Sequence, residues 1–258
     1  MPWPLRPSRA FTLLEVLVTL AIVALLAGGL AMPLATQLQL RRQEETRRQL
    51  DEAKEALLGF AAAHGRLPCP ANASSRGQES FTASGNAMNG GCSNFHDGFL
   101  PAAALGLAPL DADGFMRDPW GSPRNRIRYA VFGAGLAVNG VVNPLTRANG
   151  MQAATLPGLG AAAHYLFICA SGNGATASGC GAAANQLTRR AAFVLLSLGP
   201  NAVDDTPAAS DEARNLDGDA VFVSREASAG NANALDDILY WVPVNLIASR
   251  LLAAGRLP

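Results

Sequence analysis

The 258-residue chain has little charge and no excess of either sign. Twenty Lys and Arg stand against 20 Asp and Glu, and charged residues make up 16%. Nothing in that balance points to nucleic acid or to an acidic substrate. Lysine is nearly missing: Lys54 is alone among the 20 basic residues, a skew of genome base composition rather than of chemistry. There is no CxxC, and the gaps between Cys69, Cys92, Cys169 and Cys180 do not fit a zinc site. GxSxG, HExxH, P-loop and Rossmann fingerprints are all missing. The three histidines, His64, His96 and His164, lie far apart. His64 is expected to pack on a helix stripe, and His96–Asp97 beside Ser93 sits in a Gly/Asn-rich loop that does not read as a triad. These gaps leave an enzyme without its usual signals.

What the chain does have is one long apolar run near its start, FTLLEVLVTLAIVALLAGGLAM (11–32), with Glu15 as its single charge. From Phe11 to Thr36 it would span roughly 39 Å as a helix, enough to cross a bilayer. The leader MPWPLRPSRA carries Arg6 and Arg9 and no acid, which favours a cytoplasmic N-terminus with the rest of the chain outside. A secretory signal has a shorter core and a small-residue cleavage site after it. Here the run flows into QLQLRRQEETRRQLDEAKEALLGFAAAHG (37–65). Leu50, Ala53, Leu57, Phe60, Ala61 and His64 recur there at spacings of three and four, which makes one apolar stripe. Opposite charges four apart at Glu44/Arg48, Arg47/Asp51 and Arg48/Glu52 are expected to pair. Gly65 and Pro68 end the pattern. The spacing predicts one helix from about residue 12 to 64, with Gly28, Gly29 and Pro33 as points where it could bend.

Past Gly65 the composition turns to Gly, Ala, Ser, Asn and Pro. Apolar runs bounded by turn residues predict strands at Ile127–Phe132, Tyr165–Ala170, Ala192–Leu198 and Ala220–Ser224, read as one antiparallel sheet. The spacing in PVNLIASRLL (243–252) predicts a short closing helix. A long helix followed by a sheet on its C-terminal half is an α+β arrangement. The implied segments are a leader at 1–10, a membrane-spanning half-helix at 11–36, an amphipathic half at 37–64 and a globular domain at 65–258. Outside the cytoplasm the even cysteine count suggests disulfides. Sequence order favours Cys69–Cys92 and Cys169–Cys180, but four cysteines allow three connectivities.

The front end resembles the type IV prepilin signal shared by type IV pilins and type II secretion pseudopilins: a basic leader, a small residue, then FTLLEVLVTLAIVALL. The resemblance implies cleavage by a prepilin peptidase between Ala10 and Phe11 and N-methylation of Phe11. The family usually has Gly before the cut, where this chain has Ala10. Glu15 becomes the fifth mature residue, and the resemblance implies that it pairs with the N-terminal amine of a neighbouring subunit. A carboxylate in a water-poor bundle needs such a partner. DPWGSPRNRIRYAV (118–131), FVLLSLGPN (193–201) and LDDILYW (235–241) are similar to pseudopilin segments, and RLPCP (66–70) to the helix end of some pilin-like proteins. Residues 72–95 and 141–163 look like insertions.

The implied protein is a non-enzymatic filament subunit, a pseudopilin or minor pilin. It would sit in the bacterial inner membrane by a single pass, its globular domain periplasmic. Its expected partners are prepilin peptidase, other pilin or pseudopilin subunits and an inner-membrane assembly platform. The alternative is a minor type IV pilin serving adhesion or DNA uptake, and a simple membrane-anchored periplasmic domain comes third.

Between Asn201 and Asp237 lie nine acids, opposed only by Arg214 and Arg225. Oxygen-rich loops suit Ca²⁺, and the resemblance adds that the major pseudopilin binds Ca²⁺ in its corresponding loop. The candidate ligands are Asp217, Asp219, Asp236 and Asp237. No EF-hand run is present. Finally, Arg117, Arg124, Arg126 and Arg128 cluster at the DPWG turn, with the last three on one strand face. This face is expected to be solvated rather than to bind nucleic acid.

Overall fold

The computed structural model describes residues 12–121, 125–202, 210–228 and 233–257, with the backbone alone at 26–34. The chain divides into two units, Met1–Glu44 and Glu45–Pro258. Helix α1 (Leu13–His64) runs through Gly28, Gly29 and Pro33 without a break in its helical assignment.

In the first unit every described α1 side chain from Leu13 to Leu25 is exposed, with Leu13 at 84% and Leu25 at 77%. Among the described residues no helix is long and apolar enough to cross a membrane. The expected span of 11–36 includes residue 11 and side chains 26–34, which lie outside those described.

In the second unit the predicted stripe is the buried face: Leu50, Ala53, Leu57 and Ala61 are fully shielded. Burying a Leu side chain contributes about 1.5–3 kcal/mol, so Leu50 and Leu57 anchor the helix to the core. His64, at the end of the stripe, is exposed but stacks on the stripe residue Phe60 at 4.0 Å. One expectation fails here. None of the three expected ion pairs forms among the described residues; Lys54 pairs with Asp51 at 2.6 Å instead. The helix ends because Gly65 takes φ +67° and donates its N–H to Ala61 O at 2.8 Å, a left-handed cap that suits glycine.

The strands are β1 (Gly98–Phe99), β2 (Arg128–Val131), β3 (Ala137–Val138), β4 (Val141–Val142), β5 (Leu166–Cys169), β6 (Gln186–Ser197), β7 (Val221–Val223) and β8 (Ile238–Pro243). The further helices are α2 (Gly150–Ala154), α3 (Leu156–Ala161), α4 (Asp211–Asn215) and α5 (Val244–Ala253). One sheet runs β1-β2-β6-β5-β7, with β8 also on β6, and β3-β4 is a separate hairpin. Strand β6 is the spine. Its first half pairs with β5, and its second half with β2 and β8. From Ala191 to Ser197 every β6 residue is buried, as a strand covered on both faces must be.

The sheet is mixed rather than antiparallel, because β7 pairs with β5 in parallel. The chain leaves β6, passes through α4 and returns beside β5 in the same direction. The core joins the α1 stripe to Tyr129, Phe193, Leu195, Val242 and Ile247, with the Tyr129 and Phe193 rings 6.0 Å apart. The closing helix α5 packs on α1, where Arg250 reaches Glu55 at 3.2 Å and Arg256 donates to Ala62 O.

Candidate functional sites

At the front of α1, the Thr12 hydroxyl accepts the backbone N–H of Glu15 at 3.3 Å. Thr12 and Glu15 have the spacing of a capping box, and an acid in the first turn also complements the helix dipole. Glu15 is exposed, and among the described residues it forms no ion pair. Ala10 and Phe11 lie outside the described residues.

Both disulfides form in sequence order. Cys69–Cys92 has its Cα atoms 5.3 Å apart, and Cys169–Cys180 5.4 Å. The first is seated on a buried ion pair: Glu79 takes both arms of Arg66 and accepts Cys69 N–H at 2.9 Å. Sequence reasoning missed this pair, because the partners are distant in the chain and no periodicity links them.

The acidic loop splits into two groups. Arg214 holds Asp217 and Asp219, each at 2.8 Å. Asp236 and Asp237 lie instead beside Glu212, which accepts Asp236 N–H at 3.1 Å and is held by Asn201. Asp237 Oδ2 accepts from Asn215 Nδ2 at 2.8 Å. Asp236 Oδ1 is buried with no partner among the described residues.

Burial, then the Glu212 charge, pushes Asp236 up to about 6. Burial, then the Glu212 and Asp236 charges, pushes Asp237 up to about 7, against a hydrogen bond from Asn215. A cation would relieve that repulsion and fill the orphaned oxygen, so Asp236 and Asp237 fit one to this extent. Asp217 and Asp219 share Arg214 instead, one guanidinium between two carboxylates, and burial, with the Asp217 charge, pushes Asp219 up to about 6. Among the described residues no three His, Cys, Asp or Glu are gathered as a metal site. Asp204 and Asp205 lie outside the described residues.

The arginines at the DPWG turn are not a free basic face. Arg126 pairs with Asp111 at 2.9 Å and with Asp113, Arg117 pairs with Asp111 at 3.2 Å, and Arg128 pairs with Asp97 at 2.6 Å. Arg126 also lies over Phe115 and Arg128 over Phe99. Arg124 lies outside the described residues.

Residues 5–31 match the family model of the prokaryotic N-terminal methylation motif, the signature of type IV pilins and pseudopilins. Proteins with this motif are structural subunits, and the motif implies processing by prepilin peptidase and assembly with other pilins. No curated protein and no solved structure matches the chain.

Proposed function

We propose that the chain is a non-enzymatic filament subunit, a pseudopilin or minor pilin of a type II secretion or type IV pilus-like system. The observation that carries this reading is the methylation motif at 5–31, with Glu15 as the lone charge in the apolar run. The exposure of Leu13 to Leu25 on all sides of α1 supports it. A helix apolar all round needs lipid or other helices as its surroundings. In this reading residues 11–36 anchor the precursor in the inner membrane, the peptidase cuts between Ala10 and Phe11, and Phe11 is N-methylated. The exposed apolar half then packs among neighbouring helices, with Glu15 paired to a neighbour's amine. Ca²⁺ held by Asp236 and Asp237 would pin the loop around α4.

Mass spectrometry of the mature N-terminus tests the reading, using cells with and without prepilin peptidase. A peptide starting at N-methyl-Phe11 only when the peptidase is present is the expected result. An intact leader in both strains would reduce the protein to a membrane anchor carrying a periplasmic domain.

A further inference from the structure

The two inserted segments, far apart in the chain, form one surface. Thr146 Oγ1 donates to Gly90 O at 2.9 Å, Ala148 N to Ala87 O at 2.7 Å, and Asn143 Nδ2 to Asn89 O at 3.5 Å. The chain that builds this face is nearly free of charge. Residues 80–95 carry no Asp, Glu, Lys or Arg, and residues 133–164 carry only Arg147. In a protein with 16% charged residues, such a face suits a neutral ligand and offers little to an ionic one.

Beside it lies a cavity of about 230 Å³ between the β3–β4 hairpin and the end of α3. Its apolar lining comes from Phe132, Leu136 and Val138, and the small residues Gly158 and Ala161–Ala163 leave the space open.

Two polar groups face this cavity, and both are fixed in place. Asn139 sits in the hairpin turn at φ +50°, before Gly140 at φ +79°, the backbone signature of a tight hairpin turn. Gly158 is needed for its approach: a Cβ there would come within 2.8 Å of Asn139 Cβ. Asn139 Nδ2 donates to Ala154 O at 3.1 Å, which leaves Oδ1 as the acceptor. His164 lies tilted against Phe167, ring centroids 4.9 Å apart, and holds Nδ1 at 3.0 Å from Tyr165 O. Because a carbonyl only accepts, Nδ1 carries the proton, and in that tautomer Nε2 is the acceptor.

The cavity therefore combines two acceptors, an apolar wall and no charge. Its ligand is an uncharged donor of hydrogen bonds with one apolar face, of the size of a single ring. We infer that this cavity is a binding site for a neutral saccharide, taking one pyranose ring with its hydroxyls on Asn139 Oδ1 and His164 Nε2. The charge-poor surface built by residues 80–95 and 133–164 extends the site.

The test uses the full chain in detergent micelles. Saturation-transfer NMR is recorded with glucose, galactose, mannose and N-acetylglucosamine, and any binder is then titrated. The expected result is saturable binding of at least one of the four. His164→Phe keeps the ring packing but removes the acceptor, and should weaken binding about tenfold. Ala163→Phe fills the space and should abolish it. Ala163→Phe should keep the wild-type melting temperature, and His164→Phe, which also loses the Nδ1–H donor to Tyr165 O, should stay cooperatively folded and melt slightly lower. Two results would overturn the site: no transfer to any of the four sugars, or binding that both variants leave intact. Transfer to the blocked tripeptide acetyl-Ala-Ser-Gly-amide but to no sugar would overturn it in favour of a peptide partner.

Discussion

Arg66 and Glu79 form a two-armed ion pair, Nη1 to Oε1 at 2.6 Å and Nη2 to Oε2 at 2.8 Å, with side chains only 9% and 15% exposed. The guanidinium lies over Phe60 at 5.1 Å, so the pair ties the end of α1 to the first insertion. Removing one partner strands the other charge out of water. Glu79→Ala is expected to cost about 3 kcal/mol, and the double variant Arg66→Met/Glu79→Leu should recover much of the loss. Urea denaturation of the three proteins checks this. Equal losses in the single and double variants would mean that the stranded charge is not the cause.

Asp237 gives a pH signature with a definite sign. Its folded value, about 7, is raised above an ordinary 3.8. The native state therefore holds this proton more tightly than the unfolded chain does. The contribution is fully present below about pH 4 and is lost as pH rises towards 7. With chelator present, Asp237→Asn should be more stable than wild type by a few kcal/mol at about pH 8, and equal to it at about pH 4. Calcium reverses the order if these carboxylates hold it. Roughly millimolar Ca²⁺ should then raise the melting temperature of wild type and not of Asp237→Asn. Thermal melts across pH, with and without Ca²⁺, separate the two effects. A Ca²⁺ shift of the same size in both proteins would remove Asp237 from the site.

Periodicity explains why part of this fold could be read from the chain. Leu50, Ala53, Leu57 and Ala61 share a helix face because of their spacing, and that face is buried. The cores of β2, β5, β6 and β7 are continuous apolar runs, as buried strands are. Strand β6 begins earlier than expected, at Gln186, because residues 186–190 pair with β5 while keeping their side chains largely outside. β8 was hidden because its partners Leu195 and Phe193 lie far back in the chain. The acidic loop read as one cluster because sequence shows proximity but not partners. Arg214 separates Asp217 and Asp219 from Asp236 and Asp237, and only tertiary structure brings Glu212 to Asp236. The joining of the two insertions through Gly90 and Thr146 had no signal at all, since backbone carbonyls carry no residue identity.

The paired arginines predict no measurable affinity for DNA. Arg117, Arg126 and Arg128 each have a carboxylate within 3.2 Å, so phosphate would have to displace Asp111 or Asp97. Filter binding at low and at moderate salt should show no retention of duplex DNA. Asp111→Asn should create some, with a steep salt dependence. Salt-sensitive binding by the wild type would restore the DNA-uptake reading.

Gly133 is a packing requirement rather than a turn. A Cβ built there would stand 2.0 Å from Phe95 Cε1 and 2.4 Å from Cδ1. The Phe95 ring thus lies directly on the backbone after β2, where Phe95 O also accepts Val131 N–H at 2.8 Å. This contact closes the first insertion onto the sheet. Gly133→Ala must push the ring aside and is expected to cost about 1–3 kcal/mol, as overpacking does. In a Phe95→Ala background the same change should cost almost nothing, a coupling that a double-mutant cycle reads directly. An equal cost in both backgrounds would mean that some other constraint holds Gly133, and that the insertion is fastened to the sheet by its backbone bond alone.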